Sequence, residues 1–203
     1  MSASIREIID SYNPHAPLAE AWTIPAPWYT DRRVLELERR TVFSCSWQLV
    51  GRVDQLREPG QYITAEVAGE PILVVRGNDQ VLRGFFNVCR HHAAAVMTEP
   101  EGSAQNLRCP YHGWTYSLEG MLKGTPDFAE VCNFDRMASS LVSIETDVWG
   151  DWVFVKIERG GQTLKEFLGS DLMGQVSSVG VDKLHWMERR SYVVECQWKV
   201  FVD

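Results

Sequence analysis

The sequence has no long apolar run and no excess of basic residues. Its wholly apolar stretches, such as residues 93–97, reach about five residues, whereas a helix that spans a bilayer needs roughly 20. The first ten residues carry charged side chains and no apolar signal-peptide core, so we expect a cytoplasmic protein without membrane contact. With 20 Lys and Arg against 27 Asp and Glu, the net charge is −7, which disfavours binding to nucleic acid.

Low-complexity tracts and internal repeats are also missing. Hydrophobic residues make up 45% of the sequence, which is typical of a folded globular chain. The length of 203 residues is sufficient for one domain and part of another. Five cysteines, an odd number, argue against a disulfide framework in a cytoplasmic protein. We expect Cys45, Cys132 and Cys196 to be packing residues, because free cysteine is often buried as a small hydrophobe.

The N-terminal half predicts a helix followed by strands. Four prolines in residues 1–30 predict an extended arm, and a helix is expected over 31–43, where Thr30 or Asp31 can cap the first amides. Short segments rich in β-branched and aromatic residues then alternate with turn residues, which predicts an antiparallel, mainly β unit. The predicted strands are Trp47–Val53, Gln61–Val67, Pro71–Arg76, Val81–Asn87, Thr115–Ser117, Met121–Lys123 and Asp151–Ile157.

The C-terminal part predicts a linker and a last strand. Five glycines between 159 and 185 indicate a linker with a short helix around Leu164–Leu168. Apolar and polar side chains alternate in Tyr192–Val200, a pattern typical of a half-buried strand. The predicted organisation is an N-terminal arm and helix over 1–45, a β domain over 46–158, and a linker with the start of a second domain over 159–203.

The most informative residues form two short motifs that each combine a thiol and an imidazole. The first is Cys89-Arg90-His91, and the second, after 17 intervening residues, is Cys109-Pro110-Tyr111-His112. Either spacing lets both side chains of a motif project from one loop. Two such loops, each at a hairpin tip, would build a cage of four ligands.

A cage of this kind holds zinc or an iron–sulfur cluster. Zinc fingers usually place two Cys on one arm and two His on the other, whereas each arm here is mixed. In a Rieske [2Fe–2S] centre two His replace two Cys on one iron, and mixed arms suit that asymmetry. Two thiolates also neutralise the charge left by two ferric ions and two sulfides, so such a cluster accepts an electron more readily than one with four thiolates. Structural zinc is the alternative.

At these motifs the sequence resembles the α subunits of Rieske non-haem iron oxygenases. The matching segments are Cys89-Arg-His, Cys109-Pro-Tyr-His-Gly-Trp-Thr-Tyr, Trp47-Gln-Leu-Val-Gly-Arg, Pro71-Ile-Leu-Val-Val-Arg and Gly84-Phe-Phe-Asn-Val. The resemblance implies an antiparallel Rieske [2Fe–2S] domain with an N-terminal helix, followed by the start of an α+β catalytic domain. It also implies that Cys89 and Cys109 bind one iron, and that His91 and His112 bind the other.

The resemblance further implies partners and a reaction. An NAD(P)H-dependent reductase or a ferredoxin would supply single electrons, and the full-length protein would be a homotrimer. The intact family hydroxylates or demethylates a small organic substrate with O₂ at a mononuclear iron held by two His and a carboxylate. The flanking segments favour relatives that oxidise choline and other quaternary amines over those that oxidise aromatic rings.

Two features depart from the family pattern. Many relatives have Arg-Gly after the first His, where this chain has His92-Ala93. No His follows His185, so we expect the 203 residues to stop before the mononuclear iron ligands and to be catalytically incomplete on their own. A stand-alone Rieske ferredoxin is the alternative function, although such carriers are usually near half this length.

Three residues near the motifs allow two interpretations each. His92 is either a residue that tunes the cluster or passes electrons, or a solvated loop histidine. Trp114 and Tyr116 either shield the cluster and contact a partner, or pack in the core of a hairpin.

Overall fold

The computed structural model describes residues 3–128 and 131–202, which divide into two compact units. The larger unit spans residues 43–187, and the smaller combines the described residues up to Val42 with those from Glu188 onward. The larger unit is mainly antiparallel β, which confirms the predicted fold class. The predicted boundaries at 45/46 and 158/159 stay predictions.

The larger unit contains two antiparallel sheets. Its strands are β1 (Gln48–Arg52), β2 (Gln61–Val67), β3 (Glu70–Arg76), β4 (Leu82–Phe86), β5 (Glu101–Ser103), β6 (Leu107–Arg108), β7 (Thr115–Tyr116), β8 (Leu122–Gly124), β9 (Ser143–Trp149) and β10 (Trp152–Lys156). Seven of them form a sheet in the order β1-β10-β9-β4-β3-β2-β5, and the other three form a sheet in the order β6-β7-β8. All seven predicted strands are thereby confirmed to within one or two residues.

Three strands were not predicted from the sequence, namely β5, β6 and β9. The three residues of β5 are exposed, and β6 has only two residues, so neither carries an apolar pattern. Strand β9 contains four polar residues, namely Ser143, Glu145, Thr146 and Asp147, and it is held by pairing with β10 on one side and β4 on the other. Its stability comes from these neighbours and not from its own composition.

Strand β3 explains where the core lies. Its side chains alternate between two buried clusters: Leu73 and Val75 belong to one, and Ile72 and Val74 to the other. All four are buried, so the sheet is covered on both faces here, and the strand is a continuous apolar run. The cluster of Leu73 and Val75 also contains the two motif cysteines, which places the predicted site at the edge of the core.

The helices are α1 (Ile5–Asp10), α2 (Ala26–Thr30), α3 (Arg32–Glu38), α4 (Leu164–Ser177) and α5 (Trp198–Val202). The predicted helix over 31–43 is confirmed as α3 followed by a π-helical turn over Arg39–Phe43. The short helix predicted around Leu164–Leu168 is confirmed as the first segment of α4, because Gly169, with a φ of 71°, separates it from a second helical segment that ends at Ser177. Across residues 3–128 and 131–202, no helix is both long and apolar enough to cross a bilayer.

The extended arm predicted over residues 1–30 is wrong at three places, namely α1, a short 3-10 helix over Leu18–Glu20, and α2. Helix α1 begins after a capping box, in which the Ser4 hydroxyl accepts the Glu7 amide and the Glu7 carboxylate accepts the Ser4 amide. Helix α2 begins after Pro25, with Pro27 in its first turn, where a missing amide hydrogen does no harm. The prolines therefore mark helix starts as well as extended chain.

The strand predicted over Tyr192–Val200 is also wrong. Residues 192–195 have no regular structure, and the segment ends in α5. Within the part of the chain that the structure describes, no strand pairs with this segment, and Tyr192 and Val193 are 80% and 98% exposed. Alternation without a neighbouring strand does not form a sheet. Helix α5 instead contacts α3, where the Trp198 indole donates to Glu38 over 3.0 Å and Lys199 pairs with the same carboxylate.

Candidate metal centre

Two loops of the larger unit carry the four predicted ligands. We call residues 87–100, between β4 and β5, the first loop, and residues 109–114, between β6 and β7, the second loop. Strands β6 and β7 pair through Leu107 and Tyr116, so the second loop is a hairpin tip as predicted. Strands β4 and β5 pair with other strands and not with each other, so the prediction of a hairpin tip is wrong for the first loop.

Both loops contain the same backbone turn around their cysteine. The Cys89 amide donates to the Ala94 carbonyl over 2.8 Å, and the Ala93 amide donates to the Cys89 carbonyl over 3.0 Å. In the second loop, the Cys109 amide donates to the Trp114 carbonyl over 2.8 Å, and the Gly113 amide donates to the Cys109 carbonyl over 3.0 Å. The turn folds each loop tightly enough for one thiol and one imidazole to project from it.

The two thiols are buried and close together. Cys89 and Cys109 are 3% and 2% exposed, and both are free. Burial raises the pKa of the Cys109 thiol, and the contact with the Cys89 thiol raises this pKa further. The Tyr116 hydroxyl lies 3.3 Å from Cys89 Sγ and accepts the Arg90 amide over 3.0 Å, so its own hydrogen is free to point at the sulfur. Two buried thiolates need a neighbouring positive charge, which a metal supplies.

The two imidazoles lie side by side at the surface of the same site. The His91 and His112 ring centroids are 4.8 Å apart. His91 stacks on Trp114 at 4.7 Å, and its Nδ1 is buried without a hydrogen-bond partner. Burial, followed by the neighbouring His92 and His112, lowers the pKa of His91, which favours the neutral form that binds metals. His112 is exposed and stacks on the exposed Tyr111 ring at 3.8 Å.

The structure therefore brings together the predicted residues in two pairs and adds His92. The His92 ring centroid is 4.0 Å from that of His91, and the potential ligand atoms of His91, His92 and His112 lie within 4.8 Å of one another. His92 is fully on the exposed side, as expected of a solvated loop residue. Two buried free thiols and a buried imidazole nitrogen without a partner form a donor set that fits a [2Fe–2S] group with mixed ligands.

Aromatic side chains close the site from the core side. Trp114 and Tyr116 are 3% and 0% exposed, which favours the packing interpretation, although Tyr116 also contacts Cys89. Phe128 and Phe134 lie with ring centroids 5.3 and 5.6 Å from that of Trp114. The sequence pattern did not indicate these phenylalanines, because they follow the second motif in a segment without regular structure.

The prediction that the other three cysteines pack in the core is wrong. Cys45, Cys132 and Cys196 are all exposed. Cys45 donates a hydrogen bond to the Glu158 carboxylate over 2.7 Å, and this carboxylate raises the pKa of the thiol. Each of the three lies in a turn or bend, so it is not on the buried face of a helix or strand.

Comparisons with known proteins place the chain in a family. The family model of the Rieske [2Fe-2S] domain matches residues 46–135. The chain is 34% identical to the chloroplastic choline monooxygenase of Arabidopsis thaliana over 99% of this chain and 50% of the relative. It is 38% identical to the carnitine monooxygenase oxygenase subunit of Escherichia coli K12 over 73% of this chain and 40% of the relative. The chain thus spans about half the length of the curated relatives it matches.

Solved structures give the same result. The quaternary ammonium Rieske monooxygenase CntA in complex with L-carnitine superposes with a TM-score of 0.83 at 33% identity, over 90% of this chain and 53% of that one. Naphthalene 1,2-dioxygenase from Rhodococcus sp. gives a TM-score of 0.72 at 27% identity, over 78% of this chain and 36% of that one. The family match and the shared fold thus identify a Rieske [2Fe–2S] domain in this chain. The chain belongs to the Rieske oxygenase α subunits, and it corresponds to their N-terminal part.

Proposed function

We propose that Cys89, His91, Cys109 and His112 bind a Rieske [2Fe–2S] cluster, with both thiolates on one iron and both imidazoles on the other. The observation that carries this proposal is the repeated backbone turn, which presents one Cys and one His from each of two adjacent loops. When bound, such a cluster takes up and releases one electron at a time. The chain is then the electron-transfer part of a Rieske oxygenase.

The burial pattern supports separate roles for the two kinds of ligand. Cys89 and Cys109 are held in the core, where the Tyr116 hydroxyl stabilises a charged sulfur and water is excluded. His112 and Tyr111 are exposed, so this edge is where a redox partner comes nearest to the site. Trp114 covers one face of His91 and fixes the plane of its ring.

The oxygen chemistry of the longer relatives needs further residues. Among the described residues, His91, His92 and His112 are the one group of three or more side chains placed to hold a metal ion. We therefore propose that these 203 residues carry the cluster but no mononuclear iron site, and that residues 159–203 contain a linker and the start of a catalytic domain. The chain on its own would then oxidise no substrate.

The identity of the relatives supports a substrate class for the complete enzyme. Several are named as choline or carnitine monooxygenases, so we propose that the complete enzyme hydroxylates or demethylates a quaternary ammonium compound. We further propose an NAD(P)H-dependent reductase or a ferredoxin as electron donor and a homotrimer as the assembly. One relative's structure is described in terms of inter-subunit electron transfer, which supports an oligomer. The cytoplasmic location stays a prediction.

Spectroscopy of anaerobically purified protein tests the cluster. We expect about two irons and two acid-labile sulfides per chain, and an EPR signal on reduction that Cys89→Ser or His112→Ala abolishes. His92→Ala is the matched control, because this imidazole is exposed beside the site, and it should retain the signal. A colourless, EPR-silent protein with one zinc per chain would refute the proposal. Turnover of choline by the 203 residues with a reductase would refute the absence of a second iron site.

A further inference from the structure

The first loop has no strand pairing at its base, although it carries two of the four ligands. The second loop is closed by the β6–β7 ladder immediately before Cys109 and after Trp114. By contrast, β4 ends at Phe86, and residues 87–100 contain no strand at all. The two ends of the first loop are held by different strands and not by each other, so another contact must hold its two sides together and keep Cys89 and His91 in place.

The side chain of Asn87 makes that contact. Its Oδ1 accepts the amides of Val96 and Met97, each over 3.0 Å, and its Nδ2 donates to the Met97 carbonyl over 2.7 Å. The residue is 4% exposed, and its own amide donates to the Pro71 carbonyl over 2.8 Å. One amide side chain thus makes three hydrogen bonds across the loop, in place of the ladder that the second loop has.

We propose that Asn87 is a positioning residue for the metal centre, which fixes the first loop so that Cys89 and His91 face Cys109 and His112. This inference rests on the proposed function. Asn87 does not touch the ligands' donor atoms, and it acts through the backbone of residues 87–97. The corresponding position in the second loop is Leu107, a buried apolar residue, because strand pairing already closes that loop.

The chemistry of the Asn87 side chain also suits this positioning role. Asparagine presents an acceptor and a donor in one plane, which matches the amide and carbonyl groups of an opposing backbone segment. Burial makes each of these bonds matter, since a buried backbone amide without a partner is strongly disfavoured. Removal of the side chain would leave the Val96 and Met97 amides unsatisfied next to the cysteine core, and the loop would open.

The rate of cluster loss tests the proposal. Asn87→Ala should release iron to a chelator about 10–100-fold faster than the parent, if the faster release accounts for a loss of metal affinity of the size seen when groups behind metal ligands are removed. Asn78→Ala is the matched control, because the exposed Asn78 also bonds through its side chain, but to Glu119, which belongs to neither loop. Val153→Ala lowers the stability of the whole unit by opening a cavity in the other core cluster. When each protein is measured equally far below its own unfolding temperature, this variant should release iron at the parental rate.

Hydrogen exchange on cluster-free protein provides a readout without the cluster. The amides of Val96 and Met97 should exchange faster in Asn87→Ala than in the parent, while strand β3 stays protected. Asn87→Asp keeps the hydrogen-bond acceptor and loses the donor, so it should give an intermediate rate of iron release. If Asn87→Ala does not fold, Asn87→Asp tests the proposal in its place. Parental release and exchange rates in both variants would overturn the inference. If the parent shows no Rieske signal at all, the proposed function fails instead.

Discussion

Ala93 and Gly113 occupy equivalent positions, four residues after Cys89 and Cys109, and both have left-handed backbones, with φ of 58° and 72°. In each loop the amide at this position donates to the cysteine carbonyl, so the left-handed residue completes the turn. Glycine adopts this conformation freely, whereas an alanine Cβ crowds the neighbouring carbonyl. The first loop is therefore strained at a point where the second is relaxed.

Ala93→Gly should stabilise the protein. Relief of the left-handed strain outweighs the greater flexibility that glycine has in the unfolded chain, so we expect the free energy of unfolding to rise by roughly 0.5–1 kcal/mol. Urea unfolding of cluster-free protein measures this change. Ala95→Gly is the matched control: Ala95 is exposed and lies in the same loop without a positive φ, so its replacement should lower stability. Equal effects of both changes would show that φ at Ala93 carries no strain.

Gly113→Ala should act in the opposite direction. It adds left-handed strain, and its Cβ would lie 3.2 Å from an Arg108 nitrogen and 3.4 Å from the Pro126 ring. We expect a loss of about 1–2 kcal/mol in unfolding free energy. The Arg108 side chain is flexible, so the added loss from crowding should be small. Thermal unfolding compared with the Gly124→Ala variant, which has no positive φ, isolates the backbone contribution.

Tyr116→Phe should lower the reduction potential of the cluster. The hydroxyl beside Cys89 stabilises negative charge on sulfur, which increases when the cluster is reduced. Loss of one such bond corresponds to a shift on the order of tens of millivolts, and the ring still fills the core. Redox titration followed by EPR measures the shift. Tyr111→Phe, on an exposed ring, should leave the potential within a few millivolts of the parent, and equal shifts in the two variants would contradict this role.

His91→Cys should also lower the potential, and by more. A third thiolate makes the cluster more negative in both redox states, which moves it towards the low potentials of all-cysteine clusters, on the order of 100 mV or more below. His92→Cys adds the same thiol one residue along and should leave the potential unchanged. An intact cluster with parental potential in His91→Cys would contradict the ligand assignment.

The pair of Glu145 and Lys156 should make stability depend on pH below neutrality. The Lys156 ammonium is 2% exposed and lies 2.8 Å from Glu145, and its hydrogen bond lowers the pKa of that carboxyl below 4.5. Because the folded pKa is below the unfolded one, this stabilisation is present above about pH 4.5 and is lost as the pH falls through the folded pKa.

Glu145→Gln should therefore unfold at lower urea at pH 7 and show a flatter pH dependence between about pH 5 and 3. The expected loss at pH 7 is on the order of 1–3 kcal/mol, as for a hydrogen bond to a buried charge. Asp147→Asn is the control on the same strand, since Asp147 is exposed and makes no ion pair among the described residues. Parallel pH profiles for the parent and Glu145→Gln would exclude this role.

The sequence predicted the strands well because their apolar runs match buried positions. Residues 72–75 form a continuous apolar run within β3, and the structure buries them on both faces of the sheet. The prediction from sequence was wrong at two segments. Strand β9 was missed because its polar residues are held by two neighbouring strands, and Tyr192–Val200 was predicted as a strand although no strand among the described residues pairs with it. Pairing between distant segments decides both cases, and local composition does not record it.

The sequence predicted the four candidate ligand residues but not the residue that holds the first loop in place. Spacing alone indicated Cys89, His91, Cys109 and His112, and the structure places them in two facing pairs; their role as ligands stays a proposal. Asn87 was not assigned a role, because asparagine two residues before a motif has no distinctive pattern. Its contacts are nine and ten residues away in the chain, and only the folded loop reveals them.

The pairing of β1 with β10 joins Gln48 to Val155, which are separated by about 100 residues of chain. A sheet edge formed by such remote segments closes late, because the intervening chain must be ordered first. The cluster that buries the two thiols closes earlier, because its last buried member along the chain is Leu141. The ribosome adds the residues between Cys109 and Leu141 in roughly 2–6 seconds, and this delay is the interval in which a wrong metal or an oxidant has access to the nascent thiols.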